Sequence, residues 1–318
     1  MEKIGFIGLG NMGQGMAKNI QKAGYQMVVL DMRKDAEKDL VGKGAKSAKT
    51  PAEVAKECDI VLTSLPGPKE VEETALGKDG ILSAMRPGGI FIDMSTNSAA
   101  VMRKIAAEFK KKGSHACDAP VSGGIGGANA GTLSIMVGGE KDIFEKIQPV
   151  LKCMGNKLLY CGEVGAGSVC KAAHNMFMVI AMQGLAEAFT LAVKAGVDTK
   201  AAFEAIRNGG MGRNAILHTT WPMAVFQDKF EPPLFALSLA IKDLKLATET
   251  GRDYSVPLPT ATICEQILIE AVNRGWANKD WSTMVLLQEE ATGVKVRYPE
   301  VNVAEAANYV IFNPELRK

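Results

Sequence analysis

The chain has 318 residues, 47% of them apolar and 23% charged, with a formal net charge of +2. That length exceeds one typical domain and that apolar share fills sizeable cores, so two domains are expected. The near-neutral balance excludes a broad nucleic-acid footprint, and Lys110-Lys111-Lys112 reads as the wet end of a helix. Six cysteines, at 58, 117, 153, 161, 170 and 264, lack metal-ligand spacing and read as reduced, buried thiols. Histidines 115, 174 and 218 add no metal site. Residues 1–10 carry no charged leader ahead of a long apolar stretch, and no uninterrupted apolar run reaches bilayer length. A cytosolic (cytoplasmic) chain with no membrane and no nucleic-acid partner is expected.

Ile4-Gly5-Phe6-Ile7 runs as a strand into Gly8-Leu9-Gly10-Asn11-Met12-Gly13 and then a helical pattern over 12–23. A dinucleotide pyrophosphate requires this layout. Gly8 permits a tight turn, Gly10 lets backbone approach the phosphates, and Gly13 lets the helix pack close to the strand. Asn11 and Met12 open that helix, where free amides face negative charge. Met27–Leu30 reads as the second strand and ends at Asp31, whose carboxylate can accept hydrogen bonds from both ribose hydroxyls of NAD and would repel a 2′-phosphate. Arg33 pulls the other way, because a guanidinium pairs with that phosphate. NAD is expected, NADP stays open, and a turn or cap before the helix over 34–42 is the alternative role for Asp31.

Ile60–Thr63 is a strand that opens into Ser64-Leu65-Pro66-Gly67-Pro68, where Leu65 and Pro66 would line the ribose and pyrophosphate. Gly89–Asp93 follows, with Thr96 and Asn97 either reaching nicotinamide or substrate or capping a helix over 99–112. His115–Asp118 and Leu133–Val137 complete the set, and strands separated by helices imply parallel pairing. Between those two, Ser122, Gly123 and Gly124 combine a hydroxyl with exposed amides in a nest suited to a carboxylate. Gly126, Gly127 and Gly131 keep this loop narrow; a purely structural glycine loop is the alternative.

After Gly165-Ala166-Gly167 the pattern changes to one long apolar helix over 168–195, ended by Gly196. Further helices are expected at 199–207, 215–225, 234–250, 258–274 and 281–292, making an all-helical domain. The long helix is too apolar for a surface element, so burial in the domain centre or against another subunit is expected. The domain reading is 1–163 for dinucleotide binding, 164–295 for the helical substrate and oligomerisation domain, and 296–318 as a tail, with a short helix at 301–311 and no assigned chemistry.

Lys171 interrupts that apolar helix, Asn175 lies one turn further on the same face, and His174 is adjacent. Alcohol oxidation needs a group that takes the hydroxyl proton as hydride leaves carbon. A lysine whose pKa burial lowers can serve, and can return the proton in reverse. A snorkelling lysine is the structural alternative. Asn175 can hold substrate or lysine through either amide atom. Lys242-Asp243 is a charge pair in an apolar helix, with Lys242 near the nicotinamide or a substrate carboxylate and Asp243 orienting it, or an ordinary ion pair. Arg213, beside Gly209-Gly210-Met211-Gly212, is a second carboxylate binder.

Gly5–Met16, Asp118–Gly131, Gly165-Ala166-Gly167 with Lys171 and Asn175, and Lys242-Asp243 occur in the order of four family motifs. From Ile4 to about Gly293 the chain resembles the β-hydroxyacid dehydrogenase family, which includes 3-hydroxyisobutyrate dehydrogenase, tartronate semialdehyde reductase and 2-(hydroxymethyl)glutarate dehydrogenase. The resemblance implies an α/β fold: an N-terminal Rossmann-type doubly wound sheet joined by the long helix to an all-helical C-terminal domain, with the site in the cleft. It implies a homodimer or homotetramer, acid binding at Ser122, Gly123 and Gly124, and catalysis by Lys171 and Asn175. The implied reaction is reversible NAD-dependent oxidation of a small β-hydroxy acid to its semialdehyde or keto acid. NADPH-dependent reduction of an aldehyde acid such as glyoxylate or succinic semialdehyde is the alternative, and a non-catalytic nucleotide-binding protein the minor one. His174 stands where many relatives have asparagine; Lys171-Ala172-Ala173-His174-Asn175 is closer to 6-phosphogluconate dehydrogenase, a considerably longer enzyme.

Overall fold

Four-residue apolar runs form the centre of the sheet: β1 (Ile4–Ile7), β2 (Met27–Leu30), β4 (Ile60–Thr63) and β5 (Ile90–Asp93) are buried at every position. Strands buried on both faces lose the polar alternation of a half-exposed sheet. In this computed structural model, residues 2–209 and 216–306 are described, and the chain divides into two units, Met1–Ala172 and Ala173–Lys318.

In the first unit β3 (Lys46–Ser47), β2, β1, β4, β5 and β6 (His115–Asp118) lie side by side in parallel. Alternate residues feed two cores. Ile4, Phe6, Val29, Leu62 and Ile92 pack with Met16 and Ile20 of α1 (Asn11–Lys22). Val28, Val61 and Phe91 pack on the other face with Val54 of α3 (Pro51–Glu57) and Phe109 of α6 (Ala99–Lys111). The remaining helices on this side of the chain are α2 (Lys34–Gly42), α4 (Pro68–Leu76) and α5 (Ile81–Ala84).

The expectation of uniformly parallel pairing fails past β6. β7 (Val121–Ser122) and β6 both pair antiparallel with β8 (Leu133–Gly138). Too few residues separate β7 from β8 for the crossover that parallel neighbours need. α8 (Lys141–Leu151) supplies such a crossover, and β9 (Gly155–Gly162) joins β8 in parallel. β9 escaped the sequence reading because most of it faces solvent and its apolar signal is weak. The expected narrow glycine loop is instead α7 (Gly124–Ala130). Its buried Ala128 lies so close to α1 that a Cβ on Gly15 would sit 2.8 Å from the Ala128 carbonyl carbon. Asn19 closes the contact by donating from Nδ2 to the Ala128 carbonyl at 2.8 Å.

The second unit is helical. α9 (Ala166–Lys194) begins in the first unit and contributes Val179, Met182, Ala186 and Phe189 to a second-unit core with Phe203, Trp221 and Phe226. Phe189 packs against Trp221 in a tilted arrangement with ring centroids 4.4 Å apart. α10 (Thr199–Asn208), a π-helical turn over Ile216–Val225, α11 (Leu237–Asp253) and α12 (Pro259–Ala271) follow. The helix expected over 258–274 changes character at Val272, where a π-helical turn accommodates Gly275 at φ 81°. The one expected over 281–292 is a 3-10 turn, Trp281–Thr283, followed by α13 (Met284–Thr292). Buried Asp280 accepts amides from Leu234 and Phe235 at 2.9 and 3.2 Å, fixing the approach to α11. Val296, Val301 and Ala306, in the segment read as a tail, are buried in the same core.

One further expectation is corrected. Cys58, Cys117 and Cys264 are buried, but Cys170 is exposed on α9. By length and composition alone, α9 is also long and apolar enough to cross a membrane, with a mean hydropathy of 1.7 over its most apolar 18 residues. Polar residues such as Lys171, Asn175 and Gln183 break any uninterrupted apolar run along the helix.

Candidate active site

The glycine turn after β1 has the backbone its sequence demands. Gly8 takes φ 93°, and a Cβ there would lie 2.3 Å from the Ser64 carbonyl oxygen. A Cβ on Gly13 would lie 2.0 Å from the Gly8 carbonyl oxygen, so the start of α1 can approach the turn only as glycine. Gly10 differs: a Cβ there would meet no protein atom within 4 Å. Packing does not require this glycine, whereas an open backbone cradle fits a pyrophosphate, with Asn11 and Met12 opening α1 beside it.

Asp31 sits at the end of β2, its Oδ2 accepting the Leu9 amide at 2.6 Å and its Oδ1 the Arg33 amide at 2.8 Å. One carboxylate thus fixes the glycine turn and keeps acceptor capacity for ribose hydroxyls. The exposed Arg33 guanidinium approaches it to 3.7 Å. The sequence reading missed Glu37, which is buried and accepts the Asp31 amide at 2.9 Å, Lys34 Nζ at 2.6 Å and Ser47 Oγ at 2.5 Å. Burial pushes the Glu37 carboxyl up, yet the bonds from Lys34 and Ser47 outweigh it and hold it below the usual range.

At the next two strand ends, buried Asp93 accepts Thr63 Oγ1 at 2.9 Å, the Ser95 amide at 3.1 Å and Asn97 Nδ2 at 2.8 Å. Ser95 Oγ accepts the Leu65 amide at 2.8 Å, which ties the Leu65-Pro66 loop to the Thr96 loop. Pro66 is exposed and Leu65 and Thr96 half-buried. Asn97 donates from Nδ2 to Asp93 and accepts the Ser98 amide on Oδ1 at 2.7 Å, contacts that shape the loop ahead of α6. Burial raises the Asp93 carboxyl, against the bonds from Ser95, Asn97 and Thr63.

Asp118, ending β6, is also buried, and its two oxygens accept the Gly165 and Ser168 amides at 2.7 and 2.6 Å. These amides start α9. Three residues later Lys171 is 8% exposed, and one turn on Asn175 is 4% exposed; His174 between them is half-buried. Ser122 continues from β6 through Pro120, with Gly123 and Gly124 exposed at φ 136° and 62°. Consecutive positive-φ glycines at a helix start leave amides uncovered, as an acid-binding nest requires.

On α11, Asp243 is 4% exposed and accepts Asn175 Nδ2 on Oδ2 at 2.6 Å. Its Oδ1 lies 2.7 Å from Lys242 Nζ, an ion pair whose angles fall short of a hydrogen bond. The structure therefore joins Asn175 and Lys242 through Asp243. Arg213 lies outside the described residues. Burial pushes the Cys58 and Cys117 thiols up to about 12, so neither serves as a nucleophile at neutral pH.

A family profile described as the NAD binding domain of 6-phosphogluconate dehydrogenase matches residues 3–162, and one for the NAD-binding of NADP-dependent 3-hydroxyisobutyrate dehydrogenase matches 165–288. The chain is 39% identical to a probable mitochondrial 3-hydroxyisobutyrate dehydrogenase of Dictyostelium discoideum, over 88% of this chain and 89% of the relative. It is 38% identical to the 2-(hydroxymethyl)glutarate dehydrogenase of Eubacterium barkeri, over 92% and 97% of the two chains. A solved Mycobacterium tuberculosis 3-hydroxyisobutyrate dehydrogenase with L-serine matches at TM-score 0.82 and 32% identity, covering 90% of this chain and 99% of that one. The cytosolic expectation is overturned: the similar Dictyostelium, mouse and human enzymes are named as mitochondrial. A missing leader pattern at residues 1–10 was no ground for placing the chain in a compartment.

Gly13→Ala tests the cofactor cradle. The added methyl must push against the Gly8 carbonyl, so NAD(H) affinity, read by fluorescence titration, is expected to fall about tenfold or more while the helical unit still unfolds cooperatively. Unchanged affinity would contradict the cradle.

Proposed function

We infer the reaction from one premise: this chain belongs to the 3-hydroxyisobutyrate dehydrogenase-like family of β-hydroxyacid dehydrogenases and is an NAD(P)-dependent oxidoreductase of small hydroxy-acid or keto-acid substrates. The finer proposal is reversible NAD-dependent oxidation of an acid of the form HOCH₂–CH(R)–COO⁻ to its semialdehyde. 3-Hydroxyisobutyrate, 2-(hydroxymethyl)glutarate and L-serine, named with the relatives, share that unit.

The observation that carries the mechanism is a buried lysine one turn from a buried asparagine, on a helix whose first amides are held by a buried carboxylate. The Ser122 hydroxyl and the Gly123 and Gly124 amides hold the substrate carboxylate. Lys171 Nζ takes the hydroxyl proton, and returns it in the reverse direction. Asn175 positions the reacting group, and Lys242 adds positive charge toward the acid or the cofactor, with Thr96 completing the wall. NAD(P), when bound, supplies the hydride acceptor; Gly8, Gly10, Gly13 and Asp31 hold it, with Asn11, Met12, Leu65 and Pro66 alongside. His174 bears on which R group is accepted. Homo-oligomerisation through the helical unit is part of the proposal, supported by Phe177 and Leu191 of α9 being 66% and 72% exposed.

Asp31 gives the first expected outcome: with one active substrate, kcat/KM is higher with NAD than with NADP. The reverse order would make Arg33 the dominant contact and favour NADPH-dependent aldehyde reduction. The second concerns Lys171→Ala, which should bind NAD normally yet lose about 10²–10⁴-fold in single-turnover hydride transfer at saturating substrate. A near-normal rate would remove Lys171 from the chemistry.

A further inference from the structure

We propose that Asp243 is a positioning residue that sets which end of the Asn175 amide is presented to the reacting groups; this rests on the reading of Lys171 and Asn175 given above. A carboxylate accepts hydrogen bonds only, so the group 2.6 Å from Asp243 Oδ2 must be the Asn175 NH₂. The amide oxygen is thereby turned away from Asp243. That Oδ1 is buried and has no hydrogen-bond partner among the described residues, in a side chain 4% exposed.

A buried acceptor without a donor is costly unless a ligand or a moving proton satisfies it. Lys171 stands four residues earlier on the same face of α9, and the bound hydroxy acid brings a hydroxyl. An Asn175 that presents its oxygen can accept an N–H from Lys171, which leaves the lysine lone pair for the substrate proton, or can accept from the hydroxyl itself. A flipped amide would present two donors and could do neither. Asp243 also holds Lys242 Nζ at 2.7 Å, so one carboxylate orients an acceptor and a cation together.

Asp243→Asn preserves size and removes the constraint, because an amide at 243 can donate or accept. The expected result is a loss of about tenfold or more in single-turnover hydride transfer with NAD affinity unchanged. In an Asn175→Ala background the same substitution should cost several-fold less than it does alone, since the part of its effect that runs through Asn175 is already lost and only the part through Lys242 remains. Unchanged hydride transfer, or losses that multiply, would overturn the proposal.

Asn175→Asp provides a second reading that needs no change at 243. Only a protonated Asp at 175 can donate to Asp243 and keep a carbonyl oxygen outward, and two touching carboxylates share such a proton at raised pKa. Its activity relative to the unmodified enzyme should therefore rise as pH falls. Lys242 from α11 and Lys171 and His174 from α9 are the same in both proteins, so the ratio is the relevant quantity. A flat ratio, or no activity at any pH, would contradict the orienting role even if Asp243→Asn failed to fold. Collapse in Lys171→Ala with normal Asp243→Asn would remove this inference alone; normal Lys171→Ala would remove the reading beneath it.

Discussion

The bond that most of this arrangement depends on is the one between the Asp118 carboxylate and the first amides of α9. A buried ionised carboxyl is expensive unless its oxygens are satisfied, and the Gly165 and Ser168 amides, at the positive end of the helix dipole, satisfy both. Burial still pushes this carboxyl above the ordinary range, with those amides opposing the shift. The approach is tight enough to require glycine: a Cβ on Gly138 would lie 2.5 Å from Asp118 Oδ1, and one on Gly167 would lie 2.3 Å from the Met136 carbonyl oxygen. Because Asp118 ends the strand that leads to Ser122 and holds the helix that carries Lys171, one side chain relates the proposed acid-binding turn to the proposed base.

Buried carboxylates recur as the device that shapes this protein's loops. Asp93, paired in register with Asp118 on the neighbouring strand, gathers the loops after β4 and β5. Buried Glu37 steadies the half-buried Asp31 that holds the glycine turn, and Asp280 shapes the entry to α11. Their titration differs in sign. Asp93 and Asp118 have raised folded-state pKa values, so they favour the fold most at low pH and progressively less as pH rises through those values. Glu37 has a lowered value and contributes above the ordinary glutamate range, losing its contribution as pH falls.

Much of the framework was legible because it rests on local signals. Apolar runs marked Ile4–Ile7, Met27–Leu30, Ile60–Thr63 and His115–Asp118 at their observed bounds, and helical periodicity marked α2 and nearly all of α9. Asp31 was legible from its place after the second strand. What escaped depends on partners distant in sequence. The Asp118 bonds span 47 and 50 residues and the Asn175–Asp243 bond 68, and no periodicity encodes such contacts. A signal did exist: an acidic residue closing an otherwise apolar strand, as in Ile92-Asp93 and Cys117-Asp118, implies hydrogen-bond partners. The Asn97 bond to Asp93 was likewise out of reach, since nothing local told that Asp93 would take its amide. The antiparallel return of β8 was hidden because the decisive quantity was the short span between β7 and β8.

The most direct test of the account is a structure of the enzyme with NAD and an HOCH₂–CH(R)–COO⁻ acid bound. Lys171 Nζ is expected within about 2.6–3.2 Å of the substrate hydroxyl oxygen, with the carboxylate on Ser122, Gly123 and Gly124. A hydroxyl held instead by His174 or by a water remote from Lys171 would contradict it.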